Sequence, residues 1–414
     1  MNIQQSRPTR YSLAAVLGLL MLCYIPAGVA TGIHWQTHWN QALFAKAKTE
    51  HRYVLLDLHA VWCHWCHVMD DKTYTNPEVQ KLIEAHYVPV SVDADSDPAL
   101  TARYSNWGWP ATIVLAPDGT EIVKRRGYIP APGMIAMLKA IIADPSPGPS
   151  VRPTMKIVET RQGQLSPTQR KTLDATFDKA YDVKYGGWGN LDKYLDANAT
   201  ELLLERARDG DTQAAERARQ TLDQNLKLID PAWGGVDQYA DQVDWSGPHF
   251  EKLMFYQAGD MRLYAEAWAL WKDPKYLKAA KDIRGYIKMF LTAPSGAFYT
   301  NQDADLSQKI PGAKYYALDN AQRHKLGIPH VDKHIYSSDN GWAITALCKY
   351  HDVTGDAKAL QTARHSARWI LAHRALPDGG FAHGATKSTP ALGDTLAMGQ
   401  AFLDLYRSTG TRSW

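Results

Sequence analysis

Cysteine is scarce: four in 414 residues, at positions 23, 63, 66 and 348. So few in so long a chain exclude a disulfide-stapled scaffold, and there is no second Cys-x-x-Cys to complete a four-thiolate zinc site. A surplus of one charge is lacking too. The formal net charge is +3, and Arg7 and Arg10 account for two of it inside the N-terminal leader. The rest is near neutral, so neither nucleic acid nor an anionic surface is an expected partner. The N-terminal apolar run, Leu13–Ile25, has 13 residues and falls short of the ~20 that a spanning helix needs. It follows the acid-free, basic Met1–Arg10 and precedes Pro26 and the small residues Ala27–Ala30. That order describes a secretory signal over 1–30 cleaved after Ala30. An uncleaved anchor is the alternative, because no charge interrupts Tyr11–Ile33. Leu22 before Cys23 is not the small residue a lipoprotein signal requires. The expectation is an exported protein in the periplasm or another extracytoplasmic space, membrane-bound only if the leader is retained.

What is present is an ordinary folding composition, 45% hydrophobic and 21% charged, long enough for two or three domains. Fourteen tryptophans are many for this length. Helical-core packing explains them before aromatic walls for sugar or peptide do. Cys348 falls on an apolar helix face and reads as a buried small residue.

The most informative stretch is Asp57-Leu-His-Ala-Val-Trp-Cys-His-Trp-Cys-His-Val-Met69. Tyr53–Leu58 is apolar apart from one acid, as in a central strand covered on both faces. Cys63 and Cys66 then open a helix, where unpaired N–H groups and the dipole favour the Cys63 thiolate. Cys66, one turn on, can close a disulfide and release a mixed-disulfide partner. His64 beside Cys63 can stabilise the thiolate when charged, which predicts a couple less reducing than the about −270 mV of thioredoxin. His59, His64 and His67 cluster with the thiols, and residues 63, 66 and 67 could together ligate one soft metal ion if the helix start unwinds. The dithiol reading accounts for both cysteines without a metal.

This stretch resembles the thioredoxin superfamily: the Asp57-x5-Cys63-x2-Cys66 spacing, Trp62 just before the pair, and Trp109-Pro110 opening the strand Ala111–Leu115. The resemblance covers about residues 38–143. It implies a cis Trp109–Pro110 bond beside the sulfurs and a buried Asp57 that handles the Cys66 proton. Trp62-Cys-His-Trp-Cys-His-Val-Met69 with Gly108-Trp-Pro110, Pro248-His-Phe-Glu-Lys-Leu-Met254 and Gly296–Asp305 further resemble the YyaL-type, spermatogenesis-associated thioredoxin-domain family. That resemblance implies a thioredoxin domain joined to a helical barrel like that of six-hairpin glycosidases.

The pattern along the chain fits. Strands at 53–58, 87–92, 111–115 and 121–124 alternate with helices over 31–143. Asp144–Pro153 holds four prolines in ten residues and begins a linker over 144–165. From 166 to 414 helices are expected at 166–181, 198–209, 211–228, 248–271, 274–291, 337–354, 357–374 and 390–408. Glycine-aromatic turns punctuate them, and Lys272-Asp-Pro274 and Gly355-Asp356 act as matching hairpin turns. The fold class is an α/β thioredoxin fold followed by an (α/α)-hairpin toroid, incomplete relative to a twelve-helix barrel.

The expected function is thiol–disulfide exchange. Cys63, Cys66, Asp57 and Pro110 carry it, and Trp62, His64, Trp65 and His67 tune it. No cofactor beyond the Cys63–Cys66 disulfide is implied, and no metal. The partners are a protein thiol or disulfide client and an upstream redox partner. In the helical domain His249, Glu251, Asp303, Asp305 and Asp339 are candidates for a ligand pocket. Carboxylates there could serve a glycosidase or epimerase, which makes a carbohydrate-active protein the alternative. Equally, Glu251 and Asp339 read as first-turn acids at helix starts, with Asp303 and Asp305 ordering the long 301–336 excursion. A non-enzymatic interaction protein is the third reading.

Overall fold

The computed structural model describes residues 32–151, 163–189, 191–386 and 389–414. The expected leader, with its cleavage site and Cys23, lies outside the described residues, as do 152–162 of the expected linker. Among the described residues no helix is long and apolar enough to cross a membrane.

The N-terminal part runs α1 (Gln41–Thr49), β1 (Tyr53–His59), α2 (His64–Lys72), α3 (Pro77–His86), β2 (Tyr87–Asp93), α4 (Pro98–Tyr104), β3 (Ala111–Leu115), β4 (Glu121–Arg126) and α5 (Ala131–Ala143). The sheet order is β2-β1-β3-β4, with β1 parallel to β2 and antiparallel to β3. Strand β1 is central, as its continuous apolar run requires. Its alternate side chains divide two cores. Val54, Leu56 and Leu58 pack with Leu43 of α1 and Leu100 of α4. Leu55 packs on the other face with Met69, Ile83 and Leu138 of α2, α3 and α5. Asp57 shares the Leu55 face by the period of two. Asn76 and Asp97 cap α3 and α4 with their side chains, each followed by a proline at the first helical position.

Beyond the linker come α6 (Pro167–Ala180), α7 (Ala197–Arg208), α8 (Thr212–Asn225), α9 (Met254–Trp271), α10 (Pro274–Phe290), α11 (Gly312–Tyr316), α12 (Asn320–Leu326), α13 (Ser337–Thr354), α14 (Ala357–His373) and α15 (Leu392–Thr409). Helix α9 packs on α7, α10 and α13, and α13 on α14 and α15. One apolar core runs from Leu203 of α7 to Leu405 of α15. The two expected hairpins are present. Gly355, at φ 74°, ends α13 in a left-handed conformation, and Asp356 caps α14. Lys272, at φ 56°, and Asp273 do the same between α9 and α10.

One expectation fails. Helix α9 begins at Met254, not at 248. Pro248–Leu253 is extended: β6 (Pro248–His249) pairs with β5 (Tyr239–Ala240), and β7 (Lys252–Leu253) with β8 (Asn301–Gln302). Strand β8 also pairs with β9 (Val331–Asp332). The reason is buried charge. Lys252, 0% exposed, bonds Asp237 and lies 4.7 Å from the Tyr316 ring. A buried ammonium must keep such partners, and they hold the segment off the helix. Glu251 is therefore not a first-turn acid. Asp339 does lie in the first turn of α13.

The Cys63–Cys66 disulfide and the acids facing it

Cys63 is the N-cap of α2, and its Sγ accepts the Cys66 backbone N–H at 3.1 Å. Cys63 and Cys66 are joined in a disulfide. The Trp109–Pro110 bond is cis, and Trp109 packs on the cluster of Ala60, Trp62, Cys63 and Cys66. Asp57 sits beneath α2 and accepts from Tyr74 Oη and Ser91 Oγ, each at 3.1 Å. Burial pushes its carboxyl up to about 6 despite those bonds.

The helical part covers this site. Leu253 of β7 packs against the cysteine cluster, leaving Trp62, Cys63 and Cys66 only 3–4% exposed. Facing α2 is the segment Asn301-Gln-Asp-Ala-Asp305, which begins as β8, and its alternate residues take separate roles. Gln302 and Ala304 are buried in the helical part, where Gln302 accepts from Tyr286 Oη at 2.9 Å. Asn301, Asp303 and Asp305 point to the thioredoxin-like part. Asn301 Nδ2 donates to Asp95 Oδ2 at 2.9 Å, Asp303 Oδ2 lies 3.7 Å from His67 Nε2, and His64 Nδ1 donates to Asp305 Oδ2 at 2.6 Å. Glu251 Oε1 accepts the His64 backbone N–H at 3.3 Å.

Electrostatics follow the pairing. Its hydrogen bond to Asp305 raises His64, and Asp305 with Asp303 raises His67 to about 9 against the opposing effect of burial. Burial works against Asp305 as an anion, yet the hydrogen bond from His64 and the nearby His67 imidazole hold it well below the usual carboxylate range. Burial dominates at Asp303 and Glu251, each pushed up to about 7.

Of the five residues expected to form a pocket in the helical part, Glu251, Asp303 and Asp305 meet the cysteine helix. His249 instead stacks on Tyr239, with centroids 4.1 Å apart, and lies 3.8 Å from Asp241. Asp339 accepts from Thr300 Oγ1 and is pushed up to about 8 by burial. Trp65 is 42% exposed, stacks on Tyr128 and meets the His64 ring edge-on. Sequence reading missed Asp95 and His383. Asp95 Oδ2 also accepts the Trp62 indole N–H at 2.7 Å, and its carbonyl accepts from His383 Nε2 at 2.6 Å. His383 Nδ1 donates to Asp394 at 2.9 Å, so both ring nitrogens face acceptors.

A cavity of about 230 Å³ adjoins the interface, lined by His67, Asp70, Asp303, Asp305, Ser307 and His330 among others. Ligand atoms of His67, Asp303 and Asp305 lie within 4.8 Å of one another, the convergence a cation needs. They are already engaged: Asp305 takes His64 on one oxygen and the Gly312 N–H on the other, and His67 Nε2 donates to Val61 O at 3.1 Å. The trio works as an ion-paired bridge between the two parts.

A family model described as "Thioredox_DsbH: Protein of unknown function, DUF255" matches residues 21–143. "Spermatogenesis-associated protein 20" of Homo sapiens is 26% identical over 305 residues, 64% of this chain and 38% of that protein. The chain thus spans well under half of that relative. "Thiol:disulfide interchange protein DsbD 1" of Pseudomonas aeruginosa is 35% identical over 103 residues, 24% of this chain and 17% of that one. Among solved structures, a "GH76 alpha-mannanase" of Bacteroides thetaiotaomicron superposes with a TM-score of 0.44 and 16% identity, over 60% of this chain and 65% of that one.

Proposed function

From the premise that the chain belongs to the YyaL-type, spermatogenesis-associated thioredoxin-domain family, we propose that it is an exported thiol–disulfide oxidoreductase acting through Cys63 and Cys66. The observation that carries this reading is the disulfide at the N-terminus of α2, its Cys63 sulfur already accepting a helix N–H. The interchange named for the DsbD relative supports it. Starting from the reduced dithiol, the Cys63 thiolate attacks a client disulfide, forms the mixed disulfide and expels one client thiolate. Cys66 then loses its proton, with Asp57 as acceptor, and attacks the Cys63 sulfur. That step closes the intramolecular disulfide and expels the second client thiolate. Two electrons pass to the client, whose two thiolates take one proton back from Asp57 and one from solvent, and a dithiol partner restores the reduced pair. Run backwards, the same steps oxidise a client.

The helical domain selects what reaches the sulfurs. With Cys63 only 4% exposed and Leu253 packed on its cluster, a protein client must part the two domains or enter at their seam. A sugar-active site is less well supported. Glu251, Asp303 and Asp305, three of the carboxylates such a site would use, are engaged by the cysteine helix. The test is the reduction potential, by glutathione equilibration of the mature protein with Cys66→Ala as control. A reversible two-electron couple between about −270 and −120 mV is expected. A pair that never opens or never closes sinks the proposal.

A further inference from the structure

Asp305 reaches the redox helix from 241 residues away in sequence. It is fixed before it meets His64. Its Oδ1 accepts the Gly312 N–H at 2.7 Å, and its own N–H donates to Asp303 Oδ1 at 2.8 Å. Its Oδ2 therefore stands ready for His64 Nδ1 at 2.6 Å, with His67 Nδ1 at 3.9 Å. His64 is the residue after Cys63. A second carboxylate, Glu251, takes the His64 backbone N–H with Oε1 and leaves the buried Oε2 without a partner.

A Cys63 thiolate gains from each positive charge beside it and loses from each negative one. A lone charged His64 would favour the thiolate and make the couple more oxidising. A carboxylate fixed against that imidazole cancels its charge over a few ångströms, and the half-buried setting keeps solvent from screening the effect.

We propose that Asp305 is a positioning residue of the redox site, which fixes the His64 ring from the helical domain and offsets its charge, holding the Cys63–Cys66 couple more reducing than the thioredoxin domain would be by itself. This rests on the oxidoreductase reading above. The poise of the dithiol thus depends on whether the two domains are docked, and parting them for a client shifts it towards oxidant.

The experiment is glutathione equilibration of the full chain as wild type, Asp305→Asn, Asp305→Glu and Asn301→Ala, at pH 5, below the ordinary histidine value of about 6.5, so that His64 keeps its charge when Asp305 no longer raises it. Asp305→Asn should move the equilibrium about tenfold towards the dithiol, about 30 mV, and Asp305→Glu should restore most of it. Asn301→Ala breaks a different bond of the same interface, to Asp95, without touching the charge at His64. It should leave the constant within twofold of wild type. An unchanged Asp305→Asn protein overturns the proposal. So does an Asp305→Glu protein that shifts as far as Asp305→Asn, since a retained carboxylate charge would then not be what sets the constant. A wild-type chain with no reversible couple instead removes the oxidoreductase reading, and this one with it.

Discussion

Asn301 donates its carboxamide N–H to Asp95 at 2.9 Å, across the boundary between the helical part and the thioredoxin-like part. The same Asp95 oxygen takes the indole N–H of Trp62, next to Cys63. One carboxylate thereby ties the tryptophan beside the nucleophile to the strand that covers it.

Removing that carboxylate should loosen the cover. Asp95→Ala leaves two buried donors without an acceptor, at a cost of about 1–3 kcal/mol. Urea unfolding would measure the loss. In the reduced protein the variant should also speed alkylation of Cys63 by a bulky maleimide more than by iodoacetamide. An unchanged ratio of the two rates would mean that the interface does not limit access.

Asp57 makes a separate prediction. Its carboxyl, pushed up to about 6 by burial, is poised to exchange a proton near neutral pH. Asp57→Asn should slow mixed-disulfide resolution by about 10²-fold and leave the far-ultraviolet dichroism unchanged. The wild-type rate should carry an inflection near pH 6 that the variant lacks. Equal rates at all pH values would reduce Asp57 to a structural acid bonded to Tyr74 and Ser91.

The parts legible in the sequence are those governed by local rules. The β1 run, the Cys63–Cys66 spacing, the capped and proline-started helices and the Gly355 hairpin all announce themselves within a few residues. The interface did not, because its logic is tertiary. Asp95 reads as one more acid in an acidic loop, and His383 as a loop histidine, until folding brings them together over 288 residues. The extended Pro248–Leu253 segment hid behind a helical periodicity that a buried Lys252–Asp237 pair overrides. One signal was available: Asn301, Asp303 and Asp305 stand at every second position, so an extended segment places two acids and an amide on one face.

The ionised bridge predicts a direction for stability against pH. His67 is raised to about 9, chiefly by Asp305 and Asp303. Its protonated form is favoured in the folded state, so its contribution is complete below about 6.5, the unfolded value, and is lost as pH rises through about 9. Asp303, raised by burial to about 7, has the same sign, since the folded state keeps that proton longer than the unfolded chain does. The melting temperature should therefore fall between pH 6.5 and 9.5. The gap between wild type and His67→Gln should close over that range, and a gap independent of pH would count against the bridge.

Gly312 gives the most local test of how Asp305 is held. A Cβ there would lie 2.8 Å from the Ala304 carbonyl oxygen and 2.9 Å from the Phe250 ring, which glycine alone avoids. Gly312→Ala must push α11 away from the 301–305 segment, costing about 1–3 kcal/mol and withdrawing the N–H that anchors Asp305 Oδ1. The glutathione equilibrium should move in the same direction as for Asp305→Asn, though no charge has changed. Gly285→Ala is the matched control: a new Cβ on α10 meets nothing within 4 Å, so the helix should gain about 0.5–1 kcal/mol with no shift in the equilibrium. A Gly312→Ala protein that is destabilised yet keeps the wild-type constant would show that Asp305 holds His64 without the Gly312 anchor.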